Sequence, residues 1–338
     1  HGVFGGLYAP HLRTEIWRSL IRAETLADKH IPAGQIARVE MLDYDSDGKN
    51  ELLFTGPQYQ ALLKPSDGGT VAALDFRPCA ATLVNSMQRR PEAYHSRLRE
   101  ASQTAPGAVT SIHEQMLVKE PNLERFLTYD RWARHAFRIL LFGIKRTQPE
   151  YESLQLNEDP SFATGEFSVR SSAPHQAELH RTTVIAMNQD EGNAIPVEVT
   201  KRFSFGPAPN GCEISCEVGL KLKDSLDRAV MVGIETVVNL LAPTQPDRFI
   251  ETAAGPQNLR FSGELPGPIL HLQDGWQKLR ITLHAPGADN FWLAPIETVS
   301  ESESGFERVY QGSQILARWR LSTQKVLSAR VVWRIESL

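Results

Sequence analysis

The sequence predicts a mainly β protein of packed antiparallel sheets, preceded by a short helical segment. Three observations carry that expectation. From about residue 160 onward the chain reads as almost pure β, with around ten strands. Turn chemistry separates them, as in Pro207-Ala208-Pro209-Asn210-Gly211 and Pro286-Gly287-Ala288-Asp289-Asn290. No helical pattern alternates with these runs, which argues against a parallel α/β fold.

A helix is expected over 10–29. Leu12, Ile16, Leu20, Ala23 and Ala27 recur at helical spacing, while Arg13, Glu15, Arg18 and Arg22 face elsewhere. Pro10 suits the first turn, and Ile31-Pro32-Ala33-Gly34 ends the helix. From Ile36 the period becomes two, giving strands at 37–42 and 51–55 around an acidic loop. A second pair, 59–63 and 71–76, is joined by Lys64-Pro65-Ser66-Asp67-Gly68-Gly69. Residues 80–119 are mixed and polar, with a helix at 91–101 and a loop at 102–108, and 124–142 is read as partly helical. Strands follow at 165–171, 177–187, 195–205, 213–222, 230–241, 258–263, 278–284, 315–322 and 325–335, and Glu301-Ser302-Glu303-Ser304-Gly305 is a loop. The chain thus divides into 1–34, with one amphipathic helix, and a β body over 35–338 with a helical insertion around 85–145.

The 338 residues are 41% apolar and 22% charged, with a net charge of -4 and interspersed signs. That composition builds a sizeable core and leaves no basic footprint for nucleic acid or an anionic membrane. The best candidate for a membrane span, 137–144, is about half of the roughly 18 residues such a helix needs and carries Arg138. The start, His1-Gly2-Val3-Phe4-Gly5-Gly6, has no signal-peptide pattern and no initiator Met, so the chain is expected to be cut from a longer one. Three cysteines are an odd number. Cys212 and Cys216 share one expected strand, about 13 Å apart by strand rise, where a disulfide needs under about 7 Å. Reduced thiols and a cytoplasmic location are the expectation.

Asp43, Asp45 and Asp47, followed by Gly48 and Glu51, place oxygen ligands at alternate positions around a glycine turn, as a structural Ca2+ ion requires. The loop is not an EF-hand, because its twelfth position is Phe54 and strands flank it. The competing reading is a solvated hairpin whose Asp side chains cap turns. Glu297, Glu303, Glu307 and Arg308, with Trp292 and Tyr310 nearby, combine carboxylates, a guanidinium and aromatic rings, the mixture a sugar-facing surface uses. Its competitor is a long loop held by ion pairs, with the aromatics in the core. His175, His180 and His271 are scattered on or beside strands; His180 with Glu297 could serve as acid and base, but no spacing supports that pairing. Ser111-Ile112-His113-Glu114 lacks the second His of a zinc motif. Trp17, Trp132, Trp276, Trp319 and Trp333 are read as core or interface residues.

Four ordered segments resemble one family. They are His1-Gly2-Val3-Phe4-Gly5-Gly6-Leu7-Tyr8 with His11 and Arg13; Asp43 through Glu51; Ser111-Ile112-His113-Glu114; and Pro295-Ile296-Glu297-Thr298-Val299-Ser300 through Gly305-Phe306-Glu307-Arg308-Val309-Tyr310-Gln311-Gly312. Asn85 through Arg90-Pro91 with Tyr94-His95, and Tyr129-Asp130-Arg131, fit between them. The set resembles the C-terminal half of glycoside hydrolase family 57 α-amylases/4-α-glucanotransferases, over essentially the whole chain.

The resemblance implies a galactose-mutarotase-like β-super-sandwich following a catalytic (β/α)-barrel and a small helical domain of the same polypeptide. It implies that the catalytic Glu and Asp belong to that barrel, so no residue here is assigned a catalytic role, and that His1 contacts a sugar subsite. The expected function is a carbohydrate-associated C-terminal domain that shapes the cleft of an enzyme acting on α-glucan or maltooligosaccharide, inactive alone. The alternatives are a free-standing mutarotase-like epimerase and an independent carbohydrate-binding module.

Overall fold

A computed structural model describes residues 8–103, 120–186, 194–302 and 305–338. Helix α1 (Pro10–Asp28) opens the described chain, with Pro10 in its first turn and no side-chain cap. Next come β1 (Arg38–Leu42), β2 (Glu51–Thr55), β3 (Tyr59–Lys64), β4 (Thr70–Phe76) and β5 (Ala81–Val84), which pair in sequence order as one sheet. The expected pairing across the 64–69 turn is present, Lys64 opposite Thr70.

The body is a two-sheet antiparallel sandwich, as the alternation predicts. One sheet has nine strands, ordered β13 (Gly255–Gln257), β12 (Arg248–Thr252), β15 (Ile269–Asp274), β16 (Leu279–His284), β19 (Val326–Ser337), β10 (Gly211–Leu222), β9 (Ala194–Ala208), β8 (Gln176–Ala186) and β7 (Ser168–Ala173). The other has five, ordered β14 (Gly263–Pro266), β17 (Asn290–Ser302), β18 (Gly305–Leu321), β11 (Val230–Val238) and β6 (Arg138–Gly143). No helix among the described residues is long and apolar enough to cross a membrane.

Alternation builds the core. Ile195, Val197, Val199, Phe203 and Phe205 of β9 point inward, as do Cys212, Ile214, Cys216, Val218 and Leu220 of β10, and polar residues take the other face. Both cysteines are buried, unpaired thiols on one strand. The first sheet joins the same core, with Phe54 stacked on Phe205 at 4.3 Å. Its 64–69 turn is held by the sandwich at three points. Asp67 accepts from Arg138 at 3.0 and 2.8 Å, and Lys201 donates to the carbonyls of Gly68, at 2.9 Å, and Gly69, at 2.7 Å. Gly68 and Gly69 adopt φ of 68° and 56°. A Cβ at Gly68 would lie 2.3 Å from the carbonyl oxygen of Ala163, so glycine is required there.

Four expectations are corrected. The 124–142 segment is not helical beyond one 3-10 turn (Leu123–Phe126); it ends in edge strand β6, whose apolar run is buried on both faces and so lacks strand alternation. Helices α2 (His95–Gln103), α3 (Gln148–Glu152) and α4 (Pro160–Thr164) are short, and only the first was expected. The expected strand at 258–263 is a turn, in which the Asn258 side chain accepts from the Arg260 amide at 2.9 Å. Residues 290–302, read in part as loop, form β17 and pair with β18 as a long hairpin out to Ser302 and Gly305.

Helix α1 shows a less usual arrangement. Its repeating apolar positions do not face the body: Leu12, Ile16 and Leu20 are 46%, 64% and 49% exposed. The side against the sheets carries Ile21, buried, and Asp28, bonded to Arg77 at 2.6 Å.

Candidate functional site

The acidic loop lies between β1 and β2. Asp43 accepts from the amides of Asp47 and Gly48, both at 3.0 Å, and Glu51 accepts from the Tyr44 amide at 2.9 Å. One carboxylate oxygen each from Asp43, Asp45 and Glu51 lies within 4.8 Å of the others. Asp47 is not in that trio. The loop also has a cation of the chain's own: the Lys64 ammonium bonds Asp45, lies 2.8 Å from Asp47 and 3.3 Å from Glu51, and lowers the pKa of Asp47 by its hydrogen bond. Turn capping and ion pairing therefore account for much of the loop's geometry, and a Ca2+ ion would have to displace Lys64.

The expected sugar-facing residues do not form one surface. Trp292 is 2% exposed, packs with Phe142 and Tyr151, donates to Glu264 at 2.9 Å, and lies under Arg318 at 3.6 Å. It presents no ring face to solvent. Glu297 sits five residues further along β17, past a bulge, with Arg308 at 3.1 Å and Arg260 at 3.2 Å. Arg308 also bonds Glu120 and covers Phe126 at 4.1 Å. Glu307 is half-buried on β18, and Tyr310 is a core residue bonded to Ser313. His1, Glu303 and the 111–114 motif lie outside the described residues.

The His180 and Glu297 pairing is not made. His180 alternates with buried Leu179 and Ala177, so it lies on the outer face of the nine-stranded sheet, whereas Glu297 belongs to the five-stranded one. His271 is bonded to Thr282 at 2.9 Å, and His175 lies 3.5 Å from the Tyr59 hydroxyl. Among the tryptophans, Trp333 and Trp319 are core residues, while Trp276 is 49% exposed between Arg18 of α1 and Arg248.

Sequence reasoning missed a buried ionic cluster on the outer face of the five-stranded sheet. Asp130 bonds the Arg89 amide at 2.7 Å, its guanidinium at 2.7 and 3.1 Å, and Arg134. Arg134 reaches Gln314 at 2.6 Å and Glu235 at 3.5 Å, and Tyr151 donates to Glu235 at 3.0 Å. Burial pushes the Tyr151 hydroxyl up, Glu235 adding to the effect, and pushes Glu158 up as well. The cavity beside this cluster measures about 20 Å3, room for one water and not for a sugar ring. The available signal was the pair Arg89 and Asp130, two residues that carry the resemblance.

A larger groove, about 750 Å3, runs past the turn after β6 (Ile144, Lys145, Arg146), Asn157 and Asp159 before α4, and Arg228 before β11. Its size falls in the range of roughly 300–1,000 Å3 that ligand clefts occupy.

Comparison with known proteins places this architecture. A family model described as alpha-amylase/4-alpha-glucanotransferase, C-terminal, matches residues 43–332, and one described as the middle domain of the same enzymes matches residues 1–27. Alpha-amylase 1 of Dictyoglomus thermophilum is 30% identical over 94% of this chain and 43% of its own length. The 4-alpha-glucanotransferase of Thermococcus kodakarensis is 26% identical over 92% of this chain and 42% of its own. The chain thus spans less than half the length of these curated relatives.

Among solved structures, 4-alpha-glucanotransferase from Thermococcus litoralis aligns over 100% of this chain and 44% of its own, with a TM-score of 0.75 at 21% identity. A galactose mutarotase-like protein from Clostridium acetobutylicum aligns over 89% of this chain and 98% of its own, with a TM-score of 0.52 at 8% identity. Both are likenesses of fold. With a family model spanning the acidic loop, the first sheet from β2 onward and nearly all of the sandwich, the chain belongs to the alpha-amylase/4-alpha-glucanotransferase C-terminal domain family.

Proposed function

We propose that this chain is the non-catalytic, carbohydrate-associated domain of an α-glucan-processing enzyme, packing beside a catalytic barrel of the same polypeptide and helping to frame its cleft. The observation that carries the reading is the family match over 43–332 in a chain spanning 43% of its amylase relative. The state of the carboxylates supports it. Retaining glycoside chemistry needs two carboxyl groups about 5 Å apart across a sugar. Here Glu297 is tied to two arginines, and the side chains of Asp130 and Glu235 are buried beside a cavity of about 20 Å3. Incubating the purified chain with maltooligosaccharides should give neither hydrolysis nor transfer, and turnover by this chain alone would overturn the reading. An anomerisation assay should likewise be silent.

Glucan contact by this domain is better sought in the groove near Lys145, Asn157 and Arg228 than at Trp292, because the groove is large and lined by both polar and apolar groups. Calorimetric titration with maltopentaose should show binding that weakens at least several-fold in N157A/R228A, and equal binding by the double variant would remove this assignment. A structural Ca2+ on Asp43, Asp45 and Glu51 belongs to the same proposal. Ca2+ over EGTA should raise the melting temperature, more so in Lys64→Met, where no ammonium competes; no shift in either protein argues for Lys64 as the loop's cation.

A further inference from the structure

One histidine ties a small lobe to the sandwich. Helix α2, the 3-10 turn at Leu123–Phe126 and the far end of the β17–β18 hairpin share a core of their own. Leu98, Leu123, Val299 and Phe306 form it, with Tyr94 and Leu127 packed against them, and it is separate from the main core. His95, 5% exposed, stands at the start of α2, between the helix and the hairpin. Both of its ring nitrogens are bonded to main chain. Nδ1 accepts from the Glu92 amide at 3.1 Å, and Nε2 donates to the Val299 carbonyl at 3.0 Å. That pairing requires the neutral imidazole with its proton on Nε2. A second proton, on Nδ1, sets one N–H against another and breaks the bond from Glu92 that leads into α2.

The surroundings weigh against that proton. Burial disfavours the imidazolium most, and Arg99 on α2 adds to the effect; the Val299 carbonyl and the Glu92 carboxylate act the other way, and the balance holds the His95 pKa below its usual 6.5. Glu92 already accepts from the Tyr8 hydroxyl. The Tyr129 hydroxyl, 3.2 Å from Nδ1, is within reach of the new proton, but it already accepts from Arg99 at 2.8 Å. Tyr94 packs edge-on against the ring. The other charges nearby are engaged: Arg89 pairs with Asp130, Arg90 bonds Gln88, and Arg97 pairs with Glu301 of β17. We propose that His95 is a proton-operated latch: neutral, it holds α2 to β17, and protonated, it releases α2 and the 3-10 turn from the hairpin. Tyr8, bonded to Glu92 through its hydroxyl and to Gln311 through its carbonyl, lies in the stretch matched by the middle-domain model, so the latch works where the two matched domains join. The sign follows from the lowered pKa. The released lobe binds the extra proton more readily, so the latch is fully closed above about pH 6.5 and opens as pH falls below it.

Hydrogen exchange on the purified chain tests this, read on peptides spanning 92–103 and 122–127 and corrected for the intrinsic pH dependence of exchange. Their protection should fall at least about fivefold from about pH 7.5 to about pH 5, while peptides of β9 and β10 keep theirs. H95Q retains a donor and an acceptor but cannot titrate, so protection of its lobe should not change with pH. Equal pH dependence in H95Q, or full protection of the wild-type lobe at about pH 5, overturns the proposal. If H95Q does not fold, side-chain NMR of the wild type decides. The imidazole should be neutral and protonated on Nε2 at about pH 7.5, and should take up its second proton below about pH 6.5 in step with the loss of protection. Titration at or above that pH, or with the lobe amides still protected, sinks the idea. Neither readout uses glucan turnover, so the outcome stands apart from the functional reading.

Discussion

Lys201 occupies a position in β9 that alternation reserves for a core side chain, between inward Val199 and Phe203, and it is fully buried. Its ammonium donates to the carbonyls of Gly68, Gly69 and Phe137 at 2.9, 2.7 and 2.6 Å, using all three protons. Replacing it by Met removes a buried charge, whose desolvation costs several kcal/mol, but leaves three carbonyls without that donor at about 1–3 kcal/mol each. The orphaned acceptors outweigh the relief, and K201M should lose about 2–4 kcal/mol of unfolding free energy in urea. Burial lowers the Lys201 pKa from 10.5 to about 8. The unfolded chain therefore binds more protons than the native one between pH 8 and 10.5, so this residue makes stability rise with pH across that window, by up to about 3 kcal/mol. The difference between wild type and K201M should grow accordingly. Stability of K201M within about 0.5 kcal/mol of wild type at pH 7, or a difference that shrinks from pH 8 to 10, would refute the argument.

Three further outcomes are expected. Gly68→Ala should destabilise the protein by at least about 2 kcal/mol, because it combines a positive φ with a contact to the Ala163 carbonyl that backbone cannot yield; a melting curve unchanged from wild type would contradict this. Trp292→Ala should cost about 3–5 kcal/mol of stability as a large buried side chain, with the loss appearing in urea denaturation rather than in maltopentaose affinity. Asp75 is buried with one oxygen unpartnered, and burial raises its pKa from 3.8 to about 7. A raised carboxyl gives stability that is full below about pH 3.8 and lost as pH rises through about 7, so D75N should flatten that decline; an unchanged slope would count against it.

What the sequence determined by itself are the local features. Period-two alternation in β8, β9, β10 and β19 follows from one covered and one wet face, and the glycines and Asp67 of the 64–69 turn dictate a tight reversal. Three residues between two thiols on one strand already excluded their disulfide. The ordered motif set carried the family across the whole chain. What only tertiary structure decided is which surfaces are covered. Residues of β6, β11 and β18 are buried on both faces, so they lose alternation and the code that separates strand from helix. Helix α1 keeps its helical period, yet period does not say whether its apolar stripe meets this body or another. Trp292, Glu297 and Arg308 sit close in sequence, but a bulge and two sheet faces send the ring into a core and the charges into ion pairs. Sequence patterns record the local environment a residue prefers. Which partner supplies that environment depends on contacts between residues far apart in the chain.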